Sequence, residues 1–207
     1  RELKKSRIVV AAGFQGADSA GNTTTLGRGG SDLTAVALAR ALKAEMCELY
    51  TDVKGIYTAN PAVVPQAKKL NRISYKTVIE LARSGAEVRQ LRAIAYAARH
   101  RIPLHLRSSF ENGKGTLIGG FDCGGAKPGV ACLSIKKAGE SAELCLIGSK
   151  LDAPGIKSAL REAAAAGVHS LKKETYAPDK ITLITAFRDS EPLLRILHKT
   201  FIQPPCP

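Results

Sequence analysis

The sequence predicts a layered α/β unit that is followed by a smaller α+β unit. Along residues 8–109, short apolar runs alternate with helical patterns in the order strand, helix, strand, two helices, strand, which is typical of an α/β fold. Residues 119–129 then hold five glycines and one proline and predict a linker. Beyond the linker, the order strand, helix, two strands, helix is most of a ferredoxin-like unit.

Apolar runs mark the first two strands. Residues 8–12, Ile-Val-Val-Ala-Ala, do not alternate with polar residues, so we expect a buried parallel strand there. A second strand is expected over residues 47–50. Between them, residues 31–44 predict a helix, in which Ser31 supplies the N-cap and Asp32 an acidic first turn.

Two helices and a strand complete the first unit. Residues 75–83 predict a helix that ends at Ser84-Gly85, because glycine commonly follows the last helical turn. The buried stripe of the next helix is expected at four apolar residues, Val88, Leu91, Ala95 and Ala98. Alternating apolar residues from 102 to 106 predict a strand that runs to residue 109. In the second unit we expect strands over residues 143–147, 168–175 and 181–187 and helices over residues 155–166 and 193–201.

Composition and charge exclude several classes of protein. The 207 residues include 31 Lys and Arg against 18 Asp and Glu, and this net charge of +13 favours anionic partners such as nucleotide phosphates. The basic residues are dispersed and are not interleaved with aromatic ones, so we expect no nucleic-acid binding. No apolar run reaches the roughly 18 residues of a membrane span, so we expect no membrane partner.

The spacing of cysteine and histidine argues against a metal site in the protein. The five cysteines are scattered and form no Cys-x-x-Cys pair, which disfavours a zinc site and a disulfide framework. This cysteine usage fits a reducing compartment, and we expect a cytoplasmic protein. The four histidines lack the spacing of metal ligands, so each is expected at a surface or an interface: His100, His105, His169 and His198.

The most informative segment lies directly before the first predicted helix. Residues 23–32 read Thr-Thr-Thr-Leu-Gly-Arg-Gly-Gly-Ser-Asp. Its glycines allow backbone N–H groups to approach an anion, and the helix N-terminus adds positive potential. Arg28 can bind a carboxylate or a phosphate through two parallel hydrogen bonds. By itself the segment is equally compatible with an ordinary glycine-rich loop, and its spacing is not that of a Walker A loop or a dinucleotide fold.

A second polar segment follows the second predicted strand. Residues 50–61 read Tyr-Thr-Asp-Val-Lys-Gly-Ile-Tyr-Thr-Ala-Asn-Pro. In open α/β sheets, ligands bind beyond the carboxyl ends of the strands. There Thr51 and Asp52 can accept hydrogen bonds from a sugar or an amine, and Tyr57 can stack on a base. The same residue types also occur in turn-rich surface loops, and for this segment alone the surface loop is the favoured interpretation.

Together the two segments resemble the aspartate kinases of the amino-acid kinase family. The family pattern T-T-L-G-R-G-G-S-D is matched at residues 24–32, and Y-T-D-V-x-G-I-Y-T is matched at residues 50–58. Residues 12–16, 85–86, 107–110 and 115–118 also match the family. The resemblance implies that residues 1–118 are the C-terminal part of an amino-acid kinase sandwich.

The resemblance also implies a reaction and the residues that serve it. ATP, which carries Mg²⁺ on its phosphates, would phosphorylate L-aspartate to 4-phospho-L-aspartate in the biosynthesis of lysine, threonine and methionine. Arg28 and Asp32 are the implied catalytic residues. The implied binding residues are, for L-aspartate, Arg28, Gly29, Gly30 and Ser31 and, for the nucleotide, Thr51, Asp52 and Tyr57.

Departures from the family pattern favour an alternative. The family opens with K-x-G-G-T/S, whose lysine neutralises the transferring phosphoryl group, and this sequence does not contain that segment. We therefore expect a fragment with no turnover by itself. Ala62, Glu87 and Gln90 replace the family's arginine, lysine and histidine. The alternative is a catalytically idle, amino-acid-binding regulatory module.

Residues 130–207 resemble an ACT domain, the small ferredoxin-like module with which this family senses amino acids. Residues 151–156, Leu-Asp-Ala-Pro-Gly-Ile, match its effector loop. The resemblance implies effector contacts at Asp152, Pro154, Gly155 and Ile156, with lysine or threonine as effector and a homodimer formed through this unit. An aspartate N-cap with proline in the first turn explains the same residues without a ligand.

Overall fold

The chain forms two four-stranded sheets, one after the other along the sequence. The structure is a computed structural model that describes residues 2–85, 91–120 and 129–202. A short antiparallel hairpin, β1 (Gln15–Ala17) and β2 (Thr23–Thr25), precedes the first sheet. The elements that follow it are α1 (Gly30–Ala41), β3 (Cys47–Thr51), β4 (Arg72–Ser74), α2 (Tyr75–Arg83), α3 (Leu91–His100), β5 (Leu104–Ser108) and β6 (Thr116–Gly119).

The first sheet is mixed and has the order β3-β5-β6-β4. The pairs β3–β5 and β4–β6 are parallel, and β5–β6 is antiparallel. Helices α1, α2 and α3 bury aliphatic side chains in one cluster with the strands, including Val36, Val78, Ile94 and Leu104. The predicted α/β class is therefore confirmed for this half of the chain.

The predicted helix over residues 75–83 is confirmed residue for residue. Ser74 caps its N-terminus, because the Ser74 hydroxyl accepts a hydrogen bond from the backbone N–H of Thr77. The predicted stripe of α3 is wrong, since the buried residues are Ala93, Ile94 and Ala97. Leu91 stays 37% exposed, and Val88 lies outside the described residues. In a helix this rich in alanine, contacts with α1 and α2 select the buried face.

Two predictions near the N-terminus are wrong. Residues 8–12 are not a buried strand, because no described strand pairs with them and Ile8 and Val10 are 95% and 94% exposed. Ser31 does not cap α1. The helix begins at Gly30, and Gly29 is its N-cap with φ 76°, a backbone angle that favours glycine over serine. Asp32 lies in the first turn, as predicted.

The second sheet is antiparallel throughout and has the order β7-β8-β10-β9. Its strands are β7 (Gly129–Ala138), β8 (Ser141–Ser149), β9 (Lys173–Tyr176) and β10 (Lys180–Ala186), and its helices are α4 (Ala153–Ala165) and α5 (Phe187–Ile202). The predicted order of strand, helix, two strands and helix is confirmed. Sequence analysis missed β7, which pairs with β8 and completes the sheet.

The two halves share their cores. Cys132 and Cys145 of the second sheet belong to the apolar cluster of the first, and Ala59 and Val64 of the first half belong to the cluster of the second. The predicted division into residues 1–118, a linker 119–129 and residues 130–207 stays a prediction, because residues 121–128 lie outside the described part. No helix in residues 2–85, 91–120 and 129–202 is both long and apolar enough to cross a membrane.

Candidate functional site

A cleft of about 660 Å³ opens at the carboxyl end of β3. The polar segment after β3 supplies much of its lining, and Thr51, Asp52 and Tyr57 all belong to that lining. The second half of the chain closes the cleft with Leu133, Ser134 and Ile135 of β7 and Leu194 of α5. The structure therefore brings the three residues expected to bind nucleotide into one cleft, and it adds a wall that sequence analysis did not find.

Thr116 fixes the loop that forms the floor of this cleft. Its hydroxyl accepts a hydrogen bond from the N–H of Ile56 at 2.9 Å and donates one to the carbonyl of Leu70 at 2.6 Å. Gly55 has φ +141°, and a Cβ atom placed on it would lie 2.6 Å from the Thr116 hydroxyl. Gly55 is thus required by close approach as well as by backbone angle. Residues 115–118 match the family pattern, but the sequence did not predict this contact of Thr116 because its partners, Ile56 and Leu70, are distant along the chain.

The polar groups of the cleft are arranged for hydrogen bonding and charge recognition. The Thr51 hydroxyl donates to Asp52 Oδ1 at 2.9 Å, and the Asp52 carboxylate is exposed to the cleft and solvent. Lys54 also lines the cleft, and its ammonium lies 2.7 Å from a carboxylate oxygen of Glu111. This hydrogen bond raises the pKa of Lys54 above its ordinary value. The half-buried ring of Tyr57 offers an aromatic surface beside these groups.

The glycine-rich segment lies outside the lining of this cleft. Gly30 is buried, and a Cβ atom on it would lie 2.8 Å from Leu26 Cβ, so the turn packs tightly. Arg92 of α3 donates a hydrogen bond to the carbonyl of Leu26 at 2.6 Å and so ties the turn to α3. Arg28 is exposed and has no hydrogen bond or ion pair with any described residue. Its guanidinium is therefore available to an anion, and Arg92 is a second cation that sequence analysis missed.

Asp32, in the first turn of α1, lies near Cys47 at the start of β3, whereas the cleft lies at the end of that strand. Burial raises the pKa of Asp32. Burial and the nearby charge of Asp32 together raise the pKa of the Cys47 thiol. Cys47 begins β3, whereas Thr51 ends it. The structure does not bring the two motif segments into one cleft. Ser31 is exposed, and its Cα lies 3.4 Å from where a Cβ of Gly13 would stand.

The predicted effector residues form the N-terminus of α4. The Asp152 carboxylate accepts a hydrogen bond from the N–H of Gly155 at 3.0 Å, so Asp152 is the N-cap. Pro154 lies in the first turn, and Ile156 is buried in the core of the second half. Asp152 and Gly155 thus bind each other, and the geometry is that of a helix cap. Ala62 donates its N–H to Asn60 in an exposed turn, whereas Glu87 and Gln90 lie outside the described residues.

The described residues of the cleft do not form a metal site by themselves. Across residues 2–85, 91–120 and 129–202, no three His, Cys, Asp or Glu side chains are grouped for that purpose. Asp52 is the one carboxylate in the described lining of the cleft. A divalent cation in this cleft would therefore need further ligands, such as the phosphate oxygens of a nucleotide.

The chain is similar to known kinases in sequence. Over 117 residues it is 55% identical to the aspartokinase of Pseudomonas aeruginosa, a match that covers 56% of this chain and 28% of that protein. It is 52% identical over 118 residues to the aspartokinase of Geobacillus stearothermophilus, covering 57% of this chain and 29% of the relative. The chain thus spans less than a third of the curated relatives that it matches.

Solved structures and a family model extend the comparison. Aspartokinase III of E. coli in complex with aspartate and ADP matches 91% of this chain and 44% of its own, with 30% identity and a TM-score of 0.53. The aspartate kinase of Clostridium acetobutylicum matches 92% of this chain and 61% of its own with a TM-score of 0.75, and at 18% identity it shows the fold alone. The model of the amino acid kinase family matches residues 1–108, about half of the chain. This chain therefore belongs to the amino acid kinase family.

Proposed function

We propose that the chain is the nucleotide-binding part of an aspartate kinase, which transfers the γ-phosphoryl group of ATP to L-aspartate. The observation that carries this proposal is the cleft at the end of β3, where Thr51, Asp52 and Tyr57 meet. Ligands of open α/β sheets bind at this position. The aspartokinase matches supply the reaction, and the structure of E. coli aspartokinase III with aspartate and ADP supports the two substrates.

The proposed reaction needs positioning and charge more than covalent help from the protein. A β-carboxylate oxygen of L-aspartate attacks the γ-phosphorus, and the bond from that phosphorus to the bridging oxygen breaks, which leaves ADP. Asp52 and Thr51 would hold the ribose hydroxyls, and the ring of Tyr57 would pack against the base. Arg28 would hold the α-carboxylate of L-aspartate, because its guanidinium is exposed and unpaired among the described residues. Mg²⁺ would neutralise the phosphate charge.

Calorimetry tests nucleotide binding by the chain as it stands. MgATP is expected to bind, and Asp52→Asn is expected to weaken binding about tenfold because a charge-assisted hydrogen bond is lost (about 1.4 kcal/mol). Glu162→Gln, an exposed change on α4, is the matched control and should leave affinity unchanged. Absence of MgATP binding, or equal affinity in Asp52→Asn, would contradict the proposal.

L-aspartate binding tests the role of Arg28. Arg28→Lys keeps the charge and loses the planar fork that binds a carboxylate through two hydrogen bonds. We expect this substitution to weaken L-aspartate binding much more than MgATP binding. A change in L-aspartate affinity of less than about threefold, or about 0.65 kcal/mol, would remove Arg28 from the substrate site.

A second candidate is a catalytically idle module that binds an amino acid and dimerises through residues 130–207. One observation favours it: the glycine-rich segment, residues 23–32, and the nucleotide segment, residues 50–61, do not share a cleft. The structure of E. coli aspartokinase III with lysine and aspartate names lysine as a ligand to test, and threonine is the other. Binding of either amino acid with no binding of MgATP, in a dimer measured by sedimentation, would favour this candidate.

A further inference from the structure

Thr58 of the nucleotide segment is held by the second half of the chain. It is 4% exposed, and its hydroxyl lies 2.9 Å from Nε2 of His198 on α5. The same hydroxyl accepts a hydrogen bond from the N–H of Lys68 at 2.9 Å. The Thr58 carbonyl accepts one from the N–H of Leu133 on β7 at 2.7 Å. Two elements of the second half therefore fix one residue of the loop.

His198 makes this contact from inside an apolar core. Its side chain is 1% exposed, and its neighbours on α5, Leu194 and Leu197, are fully buried. Thr58 is its one hydrogen-bond partner among the described residues. A buried imidazole without a partner would be unfavourable, so the position of α5 and the position of Thr58 depend on each other.

The same helix contacts the loop and the cleft at two further points. The Arg195 guanidinium donates from Nε to the carbonyl of Val63 at 2.9 Å. Leu194 belongs to the lining of the cleft. By contrast, the pair between Lys76 and Asp179 also joins the halves but is formed by a lysine that is 73% exposed. The link through His198 of α5 is thus a buried hydrogen bond between side chains, and it ends on Thr58 of the nucleotide segment.

We infer that His198 is a positioning residue, which through Thr58 holds the nucleotide segment in its binding conformation. A movement of α5 would therefore change the affinity of the cleft for nucleotide. This inference rests on the proposed function of the cleft. His198 is not among the residues that line the cleft. Its effect passes through Thr58 to the residues before it, which include Asp52 and Tyr57.

The test compares His198→Leu with His198→Gln in the full chain. Leucine fills the space without a hydrogen bond, whereas glutamine can place an amide group near the position of Nε2. We expect His198→Leu to weaken MgATP binding at least fivefold, or about 1 kcal/mol, and His198→Gln to restore affinity to within twofold of the parent. The control is His169→Leu, because His169 is exposed.

Amide hydrogen exchange separates this inference from the proposed function. His198→Leu is expected to speed exchange over residues 56–68 and to leave residues 142–147 of β8 unchanged, with or without nucleotide. If the parent chain does not bind MgATP, the proposed function fails while the exchange comparison still tests the link. Parent-like exchange at residues 56–68 in His198→Leu would overturn the inference. Where His198→Leu does not fold, Thr58→Val removes the same hydrogen bond from the loop side and must show the same local change.

Discussion

Residues 8–32 and residues 129–202 differ both in the strength of their sequence motifs and in how well their apolar side chains are buried. Residues 8–32 contain the strongest motif of the chain, at residues 23–32. In the same region, Ile8 and Val10 are almost fully exposed. The second holds a weaker motif, yet Leu144 and Leu183 are 1% and 0% exposed. An apolar side chain stabilises the fold only where other atoms cover it. A segment can therefore carry a specific functional motif without being well packed, and a well-packed segment need not carry a strong motif.

The largest expected effect is on stability in the second region. Leu183→Ala in β10 removes a fully buried side chain, and we expect the free energy of unfolding to fall by about 2–5 kcal/mol in urea titrations. Val10→Ala removes an exposed side chain and should change it by less than about 0.5 kcal/mol. A loss above about 1 kcal/mol for Val10→Ala would mean that residues 8–12 are covered in solution.

The next effect tests the floor of the cleft. Gly55→Ala places a methyl group against the Thr116 hydroxyl, which two hydrogen bonds hold in place. We expect a loss of about 1–3 kcal/mol in unfolding free energy together with weaker MgATP binding. Gly21→Ala is the control, because its φ is also positive but no atom lies within 4 Å of the added Cβ. Equal losses in the two variants would show that the backbone angle, not contact with Thr116, makes Gly55 necessary.

A smaller effect distinguishes a helix cap from an effector site. Asp152→Ala removes the acceptor for the N–H of Gly155, and we expect a loss of about 1 kcal/mol in thermal or urea unfolding. Asp152→Ser keeps a capping oxygen and should retain most of that stability. If Asp152→Ala leaves stability unchanged and abolishes amino-acid binding, the residue serves the effector and not the cap.

The smallest expected effect is the loss of stability that His198 causes at acid pH, because only this one buried imidazole is involved and no core side chain is changed. Burial, with the charge of Lys68, lowers the pKa of His198 below its ordinary value near 6.5. The unfolded chain therefore takes up the proton first as pH falls. The contribution of neutral His198 to the free energy of unfolding is fully present above about pH 6.5. It is lost as the pH falls from there through the pKa of His198 in the folded chain.

Urea midpoints between pH 7.5 and 5 measure this contribution. His198→Gln cannot titrate, so the parent should lose more stability than the variant over that range. The pKa of His100 is lowered in the same direction, but His100 is present in both chains and cancels. Parallel pH profiles of parent and variant would contradict the assignment.

Sequence patterns predicted the elements whose signals are local. The helix over Tyr75–Arg83 was predicted in full because Ser84-Gly85 gives a local signal for its end. The strand Cys47–Thr51 was predicted to within one residue. Strands β4 and β6 were missed because runs of three and four residues are too short to show a period. Strand β7 was missed although it pairs with β8, which follows it directly in the sequence. The stripe of α3 was misplaced because alanines on several faces give no clear periodicity.

The residues of the candidate site also fall into those that the local sequence predicted and those that it did not. Thr51, Asp52 and Tyr57 were found from their order after a strand, because the carboxyl end of a strand is where ligands bind. Thr116, Arg92 and His198 were not found, since each acts on a residue more than fifty positions away. No local pattern encodes such contacts.

By itself the sequence determined the α/β class, the segment that supplies Thr51, Asp52 and Tyr57 to the cleft, and membership of a kinase family, because these depend on residue types at short and fixed spacing. Tertiary structure alone decided that residues 8–12 are exposed, that β7 and α5 wall the cleft, and that His198 binds Thr58. The physical reason is that burial and hydrogen bonding across the chain depend on which surfaces meet, and chain folding brings those surfaces together from distant positions.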